Sequence, residues 1–214
     1  MTRGKLITLE ALDGAGKTTA VNTVVETVKS HGIDVVMSRE PGGTQRGELI
    51  RSLLLDPAPI EPLCMDAELL LMFAARAQHL QQLILPALKQ GKWVVIERFG
   101  DASHAYQGGG RGISSERITA LENFVQGDLQ PDLTILLDVA ETIAFKRLHK
   151  RLAASGEQKD RIELEGQAFF SRVRNAYLGR AVQFPGRFVI INAAEPLQTV
   201  QDNIKACVSG FCLS

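Results

Sequence analysis

One stretch constrains this chain more than any other: Ala11-Leu12-Asp13-Gly14-Ala15-Gly16-Lys17-Thr18-Thr19. It follows the apolar run Leu6-Ile7-Thr8-Leu9 and precedes a segment with helical spacing. The pattern is that of a phosphate-binding loop, G-x-x-x-x-G-K-[ST], with Ala11 at the first glycine position. Gly14 and Gly16 allow a tight turn whose N–H groups, at a strand-to-helix junction, aim at an anion. Asp13, Gly14, Ala15, Gly16, Lys17, Thr18 and Thr19 are the expected nucleotide contacts, with Lys17 on the outer phosphates and the Thr18 hydroxyl on Mg²⁺. The competing reading is an ordinary glycine-rich turn, but strand, loop, Lys-Thr and helix occur in the order that phosphate binding needs.

The rest of the chain alternates short apolar runs with helical patterns, which predicts an α/β fold built on a wound parallel sheet. Strands are expected at Lys5–Glu10, Asp34–Ser38, Trp93–Glu97, Leu133–Asp138 and Phe188–Asn192. Each is continuously apolar, as a strand covered by helices on both faces should be. Helices are expected at Lys17–His31, Arg46–Leu54, Asp66–Gln90, Ser114–Gln126, Glu141–Ala153, Arg161–Phe184 and Leu197–Val208, with Ser114, Ser115 and Asp160 as N-caps. The hydrophilic interruption from Ala153 to Asp160 reads as a surface loop or a lid. No repeat or long linker divides the 214 residues, so residues 1–214 are expected to form a single domain.

With 24 basic and 24 acidic residues the charges cancel, so no global field points to nucleic acid or an anionic membrane. No terminal apolar segment has the length of a signal peptide or membrane span, and a cytoplasmic location is expected. Cys64, Cys207 and Cys212 are an odd set without metal spacing, which disfavours disulfides and zinc.

Further candidates fall at the carboxyl ends of the expected strands, where parallel sheets bind ligands. Arg39-Glu40-Pro41-Gly42-Gly43-Thr44 can be a simple turn or can present Arg39 to a second anion. Glu97-Arg98 suits phosphoryl transfer, a carboxylate managing Mg²⁺ and an arginine binding oxygens; the alternative is a surface ion pair. The glycine run after Ser103-His104-Ala105-Tyr106-Gln107 predicts a loop, with Tyr106 and Gln107 available to a polar ligand and His104 solvent-facing or internally satisfied. Phe73 and Arg76 share a helical face, where ring and guanidinium can meet a planar base, although core phenylalanine and solvated arginine are the commoner fates. Arg147 and Arg151, one turn apart before the interruption, can neutralise transferring phosphoryl charge or form a solvated face.

Taken in order, the phosphate loop, Arg-Glu-Pro-Gly-Gly-Thr, Leu-Met-Phe-Ala-Ala-Arg-Ala-Gln-His, Glu-Arg-Phe, Ala-Tyr-Gln-Gly-Gly-Gly-Arg-Gly, Pro-Asp-Leu-Thr and Asp-Arg-Ile-Glu resemble the bacterial thymidylate kinase family, over most of the chain. The resemblance implies a P-loop NTPase fold, a five-stranded parallel sheet wrapped by helices, with a mobile lid at about residues 150–160. It implies transfer of the ATP γ-phosphoryl to dTMP with Mg²⁺, giving dTDP for dTTP biosynthesis, and a homodimer. It assigns Asp13 to the dTMP sugar or phosphate region, Arg39 and Arg98 to the dTMP phosphate, and Phe73 to stacking on thymine. Arg76 and Ser103 would read the base edge, Tyr106 would exclude a ribose 2′-hydroxyl with Gln107 nearby, and Arg151 or Arg147 would act from the lid. Lys17 and Thr18 would serve ATP·Mg²⁺, with Glu97 as the carboxylate where the family usually has Asp. Ala11 replaces the usual Gly, and Asn192 stands where Asp is frequent on the adenine side. Rival readings are a same-fold kinase with another acceptor, a non-catalytic nucleotide-binding module, and an NTPase that drives a partner.

Overall fold

The computed structural model describes residues 3–156 and 158–213. Met1, Thr2, Glu157 and Ser214 lie outside the described residues, so the expected lid and the full 1–214 span are described except there. Five strands, β1 Leu6–Ala11, β2 Val35–Arg39, β3 Trp93–Glu97, β4 Leu133–Asp138 and β5 Phe188–Asn192, pair in parallel in the order β2-β3-β1-β4-β5. All six β1 residues are buried, the polar Thr8 and Glu10 included, whereas edge strand β2 is only partly covered. The β2–β3 register sets Arg39 beside Glu97, and the β1–β3 register sets Glu97 beside Leu9. The carboxyl ends of these three strands therefore open together at one edge, next to the phosphate loop.

Helix α1, Lys17–Ser30, follows Gly16 and lays Ala20, Val21, Val24 and Val28 on the sheet at helical spacing. Each fully buried valine is worth about 2 kcal/mol. Helix α2, Gln45–Leu55, is capped by Thr44, whose side chain accepts from the Gly47 N–H, so the Arg39–Thr44 motif also starts a helix. The remaining helices are α3 Met65–His79, α4 Leu85–Lys89, α5 Gly100–Ser103, α6 Ser115–Gln126, α7 Glu141–Ser155, α8 Gln167–Gln183 and α9 Leu197–Leu213.

Three expectations need correction. The helix expected over Asp66–Gln90 is not uniform: a π-helical stretch, Leu80–Ile84, separates α3 from α4. Pro86 explains it, because a proline cannot donate to the preceding turn and its ring crowds that turn's carbonyl. The glycine run is no open loop; His104–Gly110 is a second π-helical stretch packed on α8. A Cβ on Gly109 would lie 2.5 Å from that of Ala176, and one on Gly110 would lie 2.5 Å from the Phe169 ring, so close helix packing is what these glycines permit. The helix expected from Arg161 begins at Gln167, after an extended Gly166. Asp160 does cap, but it closes a separate turn: its Oδ1 accepts from the Ile162 and Glu163 N–H groups.

Candidate active site

The phosphate loop joins β1 to α1 with Gly14 at φ +86° and Gly16 at φ +97°. Ala11 ends β1 in register with Leu137 and is absent from the residues with positive φ, so its methyl group is accommodated without strain. A Cβ on Gly14 would lie 2.1 Å from the Ala144 carbonyl oxygen, which shows how closely the loop seats on α7. Lys17 is buried, and its Nζ donates to the Leu12 carbonyl at 2.9 Å and Asp13 Oδ1 at 3.1 Å. Burial first, and the Arg98 charge second, hold its pKa below the usual lysine value.

Arg98 follows β3 with φ +65°, the one non-glycine residue in the left-handed region among those described. That turn sends its guanidinium across to β1, donating to the Ala11 carbonyl at 2.8 Å and Asp13 Oδ1 at 2.6 Å. The Tyr106 hydroxyl donates to Asp13 Oδ2 at 3.2 Å, and Arg98 lies over the Tyr106 ring at 4.7 Å. Burial alone would raise the Asp13 pKa, but Arg98 and Lys17 overcome it and hold the carboxyl well below its usual range. Arg98 therefore pairs with Asp13 rather than forming a surface ion pair with Glu97.

Two adjoining spaces open at this edge. The larger, a cleft of about 1060 Å³, is lined by Asp13, Thr18, Arg39, Glu97, Arg151 and Asp160, among others. The smaller, about 100 Å³, lies among Arg39, Arg76, Arg98, Ser103, Tyr106 and Gln107. Arg76 is not solvated: it is 2% exposed, with Nε on Glu40 Oε2 at 2.7 Å and Nη2 on the Phe99 carbonyl and Ser103 Oγ. Its Nη1 is buried without a hydrogen-bond partner. Gln107 also lines this cavity and donates to Glu68. Phe73 does not line it; its ring lies 4.8 Å from the Arg76 guanidinium, in a cluster with Leu69, Ile113 and Ile118.

The structure separates Arg147 and Arg151, the two arginines expected to act from a lid and both carried by α7. Arg151 lines the large cleft and pairs with Glu163 at 2.8 Å. Arg147 turns instead to a third space, about 270 Å³, beside Ala15, Gly16 and Thr19, where it donates to the Ala193 carbonyl. Asn192 bonds locally, to Glu195 and the Ala194 N–H. His104 is internally satisfied by Glu122 at 2.8 Å.

Several site residues escaped the sequence reading. Arg51 lines both main spaces and donates to the Pro41 carbonyl; burial first and neighbouring Arg39 second lower its pKa, marking a spot that favours an anion. Its signal was present: Gly47, Arg51 and Leu54 share one face of α2, and the other two are buried. Glu10 and Tyr177 lie beneath Arg98, the Tyr177 hydroxyl donating to Glu10 Oε2 at 2.7 Å. Tyr177 is 167 residues away, and no local pattern announces that pair.

Among the described residues no cluster of three or more His, Cys, Asp or Glu side chains could hold a metal by itself. Thr18 and Glu97 both line the large cleft, and a hydroxyl and one carboxylate fit a Mg²⁺ ion whose remaining ligands are phosphates and water.

Comparison with known proteins gives one family throughout. A family model described as thymidylate kinase matches residues 9–204. A thymidylate kinase of Chromohalobacter salexigens is 55% identical over 206 residues, covering 96% of this chain and 95% of that one. One from Pseudomonas entomophila is 53% identical over 208 residues, 97% and 96% of the two chains. The crystal structure of thymidylate kinase from Ehrlichia chaffeensis matches with a TM-score of 0.75 at 31% identity, covering 96% of this chain and 99% of that one.

Proposed function

The chain belongs to the thymidylate kinase family, and we propose from that premise how its two spaces divide the work. The enzyme is a nucleoside monophosphate kinase with the P-loop NTPase fold, and it phosphorylates dTMP to dTDP in nucleotide biosynthesis. The donor, ATP, lies along the phosphate loop: Gly14, Ala15, Gly16 and Thr19 supply backbone and hydroxyl contacts, and Lys17 leaves the Leu12 carbonyl for the outer phosphates. Thr18 and Glu97 hold Mg²⁺, which when bound offsets phosphate charge. Arg147 flanks the adenosine in the third space.

The acceptor fills the smaller cavity and extends into the cleft. The observation that carries this reading is Arg76, which lines the smaller cavity and keeps a buried Nη1 without a hydrogen-bond partner. A donor left unsatisfied in the protein costs stability until a ligand acceptor meets it, and a thymine carbonyl supplies one. Ser103 and Gln107 complete the polar edge, and Phe73 backs Arg76 from outside the cavity. Tyr106 and Asp13 receive the sugar, and Arg39 and Arg98, with Arg51, receive the phosphate. Phosphoryl transfer then asks the protein mainly for alignment and charge neutralisation. Arg98 on the acceptor and Arg151 from the lid provide the charges, and lid closure excludes competing water.

We assign residues 1–214 to one domain and the enzyme to the cytoplasm, where free Cys64, Cys207 and Cys212 stay reduced. Among the described residues no helix is long and apolar enough to cross a membrane. A homodimer is supported by exposed Leu70 on α3 and Phe124 on α6, neighbouring helices whose apolar side chains a second copy would cover. Chromatographic identification of dTDP and ADP from dTMP, ATP and Mg²⁺, lost on chelation, tests the activity. ADP formation that ignores dTMP would overturn it.

A further inference from the structure

The Arg39–Thr44 segment does more than turn the chain. Glu40, 5% exposed, joins two groups from α3: Oε2 accepts from Arg76 Nε at 2.7 Å and Oε1 accepts from His79 Nδ1 at 3.0 Å. His79 is fully buried and lines neither main space, and its Nε2 meets Ser38 Oγ at 2.7 Å. Nδ1 bonds the Glu40 carboxylate and Nε2 bonds the Ser38 hydroxyl, so both ring nitrogens are engaged. Gly43 closes over this pair at φ +76°: a Cβ there would lie 2.4 Å from Ser38 Oγ and 2.6 Å from His79 Nε2. The guanidinium at the other end of the chain lies over the rings of Phe73 and Phe99, at 4.8 and 5.2 Å. Nε and Nη2 are thus committed, and Nη1 alone is left without a partner.

We infer that Ser38, His79 and Glu40 are positioning residues for substrate selectivity: their hydrogen-bonded chain, buried at Glu40 and His79 and reaching the edge of the large cleft at Ser38, fixes the Arg76 guanidinium, so that the cavity takes a pyrimidine with a ring carbonyl at that point and rejects one with an amino group. This rests on the smaller cavity being the acceptor site. An amino group there would set donor against donor in a buried place, and a rigid guanidinium cannot turn away to relieve it. The relay acts through Arg76 and touches no reacting atom, so its loss should appear in acceptor recognition and leave the chemical step in place. Gly43 has its use here as well, since the turn can cover His79 only without a side chain.

Steady-state kinetics with dTMP and dCMP, with ATP varied separately, test this on His79→Leu, His79→Asn, Glu40→Gln and Ser38→Ala. In His79→Leu and Glu40→Gln, KM for dTMP should rise about tenfold, and the dTMP-to-dCMP ratio of kcat/KM should narrow by a similar factor. The kcat and the KM for ATP should stay within about twofold. His79→Asn keeps a donor at the Nδ1 position and should restore most of the selectivity. Ser38→Ala, which deletes one hydroxyl and should fold readily, should shift the ratio in the same direction by less. An unchanged ratio and KM for dTMP across the folded variants, with only a lowered Tm, would overturn the positioning role. So would His79→Asn behaving like His79→Leu. If the unsubstituted enzyme showed no preference for dTMP, the functional reading itself would fall, and this inference with it.

Discussion

Arg98 holds both the charge network of the site and an unfavourable backbone conformation, and substitution by alanine and by glycine separates the two. At φ +65° the Cβ of an L-residue crowds its own backbone, at a cost of about 1–2 kcal/mol. The guanidinium binds the Ala11 carbonyl at 2.8 Å and Asp13 at 2.6 Å, and its removal leaves Lys17, at 3.1 Å, as the remaining charged partner of Asp13. Breaking that partly buried pair should cost both variants on the order of 3 kcal/mol. Arg98→Ala retains the strained Cβ, whereas Arg98→Gly sheds it. Set against the extra freedom of glycine in the unfolded chain, the net difference is about 0.5–1 kcal/mol in favour of glycine. For a chain of this size that corresponds to a Tm about 2 °C higher for Arg98→Gly. Both should lose about 10³-fold in kcat/KM for dTMP, because both lack the charge that meets the acceptor phosphate. Paired thermal melts and coupled ADP assays read the two effects. A glycine variant no more stable than the alanine variant would refute the strain, and appreciable activity in either would refute the role of the guanidinium.

Other outcomes follow from the same geometry. Burial first, and the Asp101 carboxylate second, push Glu10 from 4.5 up to about 7. A carboxyl raised on folding contributes stability that is complete below pH 4.5 and is lost as the pH rises through about 7. Relative to Glu10→Gln, the unsubstituted protein should therefore lose on the order of 3 kcal/mol between pH 4.5 and 8 in denaturant unfolding, and parallel pH profiles would contradict this. Arg151→Met should lower kcat by about 10³-fold with little change in KM for ATP, while Arg147→Met should mainly raise that KM; the reverse split would exchange their roles. Gly14→Ala meets the Ala144 carbonyl as well as an unfavourable φ and should cost about 3 kcal/mol or more in unfolding experiments. Gly16→Ala, with nothing within 4 Å of its Cβ, should cost only about 1 kcal/mol.

The sheet was readable because strands of a helix-covered parallel sheet are predominantly apolar, and all five strands fall within one residue of where the apolar runs placed them. The phosphate loop was readable because strand, glycines, Lys17 and helix are contiguous. The site's internal wiring was not. Arg76 with Glu40 spans 36 residues, Arg98 with Asp13 spans 85, and Tyr177 with Glu10 spans 167, and these distances are closed only by strand order. The two π-helical stretches escaped for a different reason. Glycine and proline mark broken regularity, yet whether the chain opens into a loop or widens its helix depends on what packs beside it, here α8 against Gly109 and Gly110.

The central claim is that this site transfers phosphate from ATP to dTMP, and one assay addresses it most directly: ADP formation from ATP and Mg²⁺ with dTMP, dUMP, dCMP, AMP, GMP and thymidine as separate acceptors. The account predicts the highest kcat/KM with dTMP and little turnover with the purine monophosphates or the unphosphorylated nucleoside. Preferred turnover of another acceptor, or ATP binding without turnover of any, would contradict it.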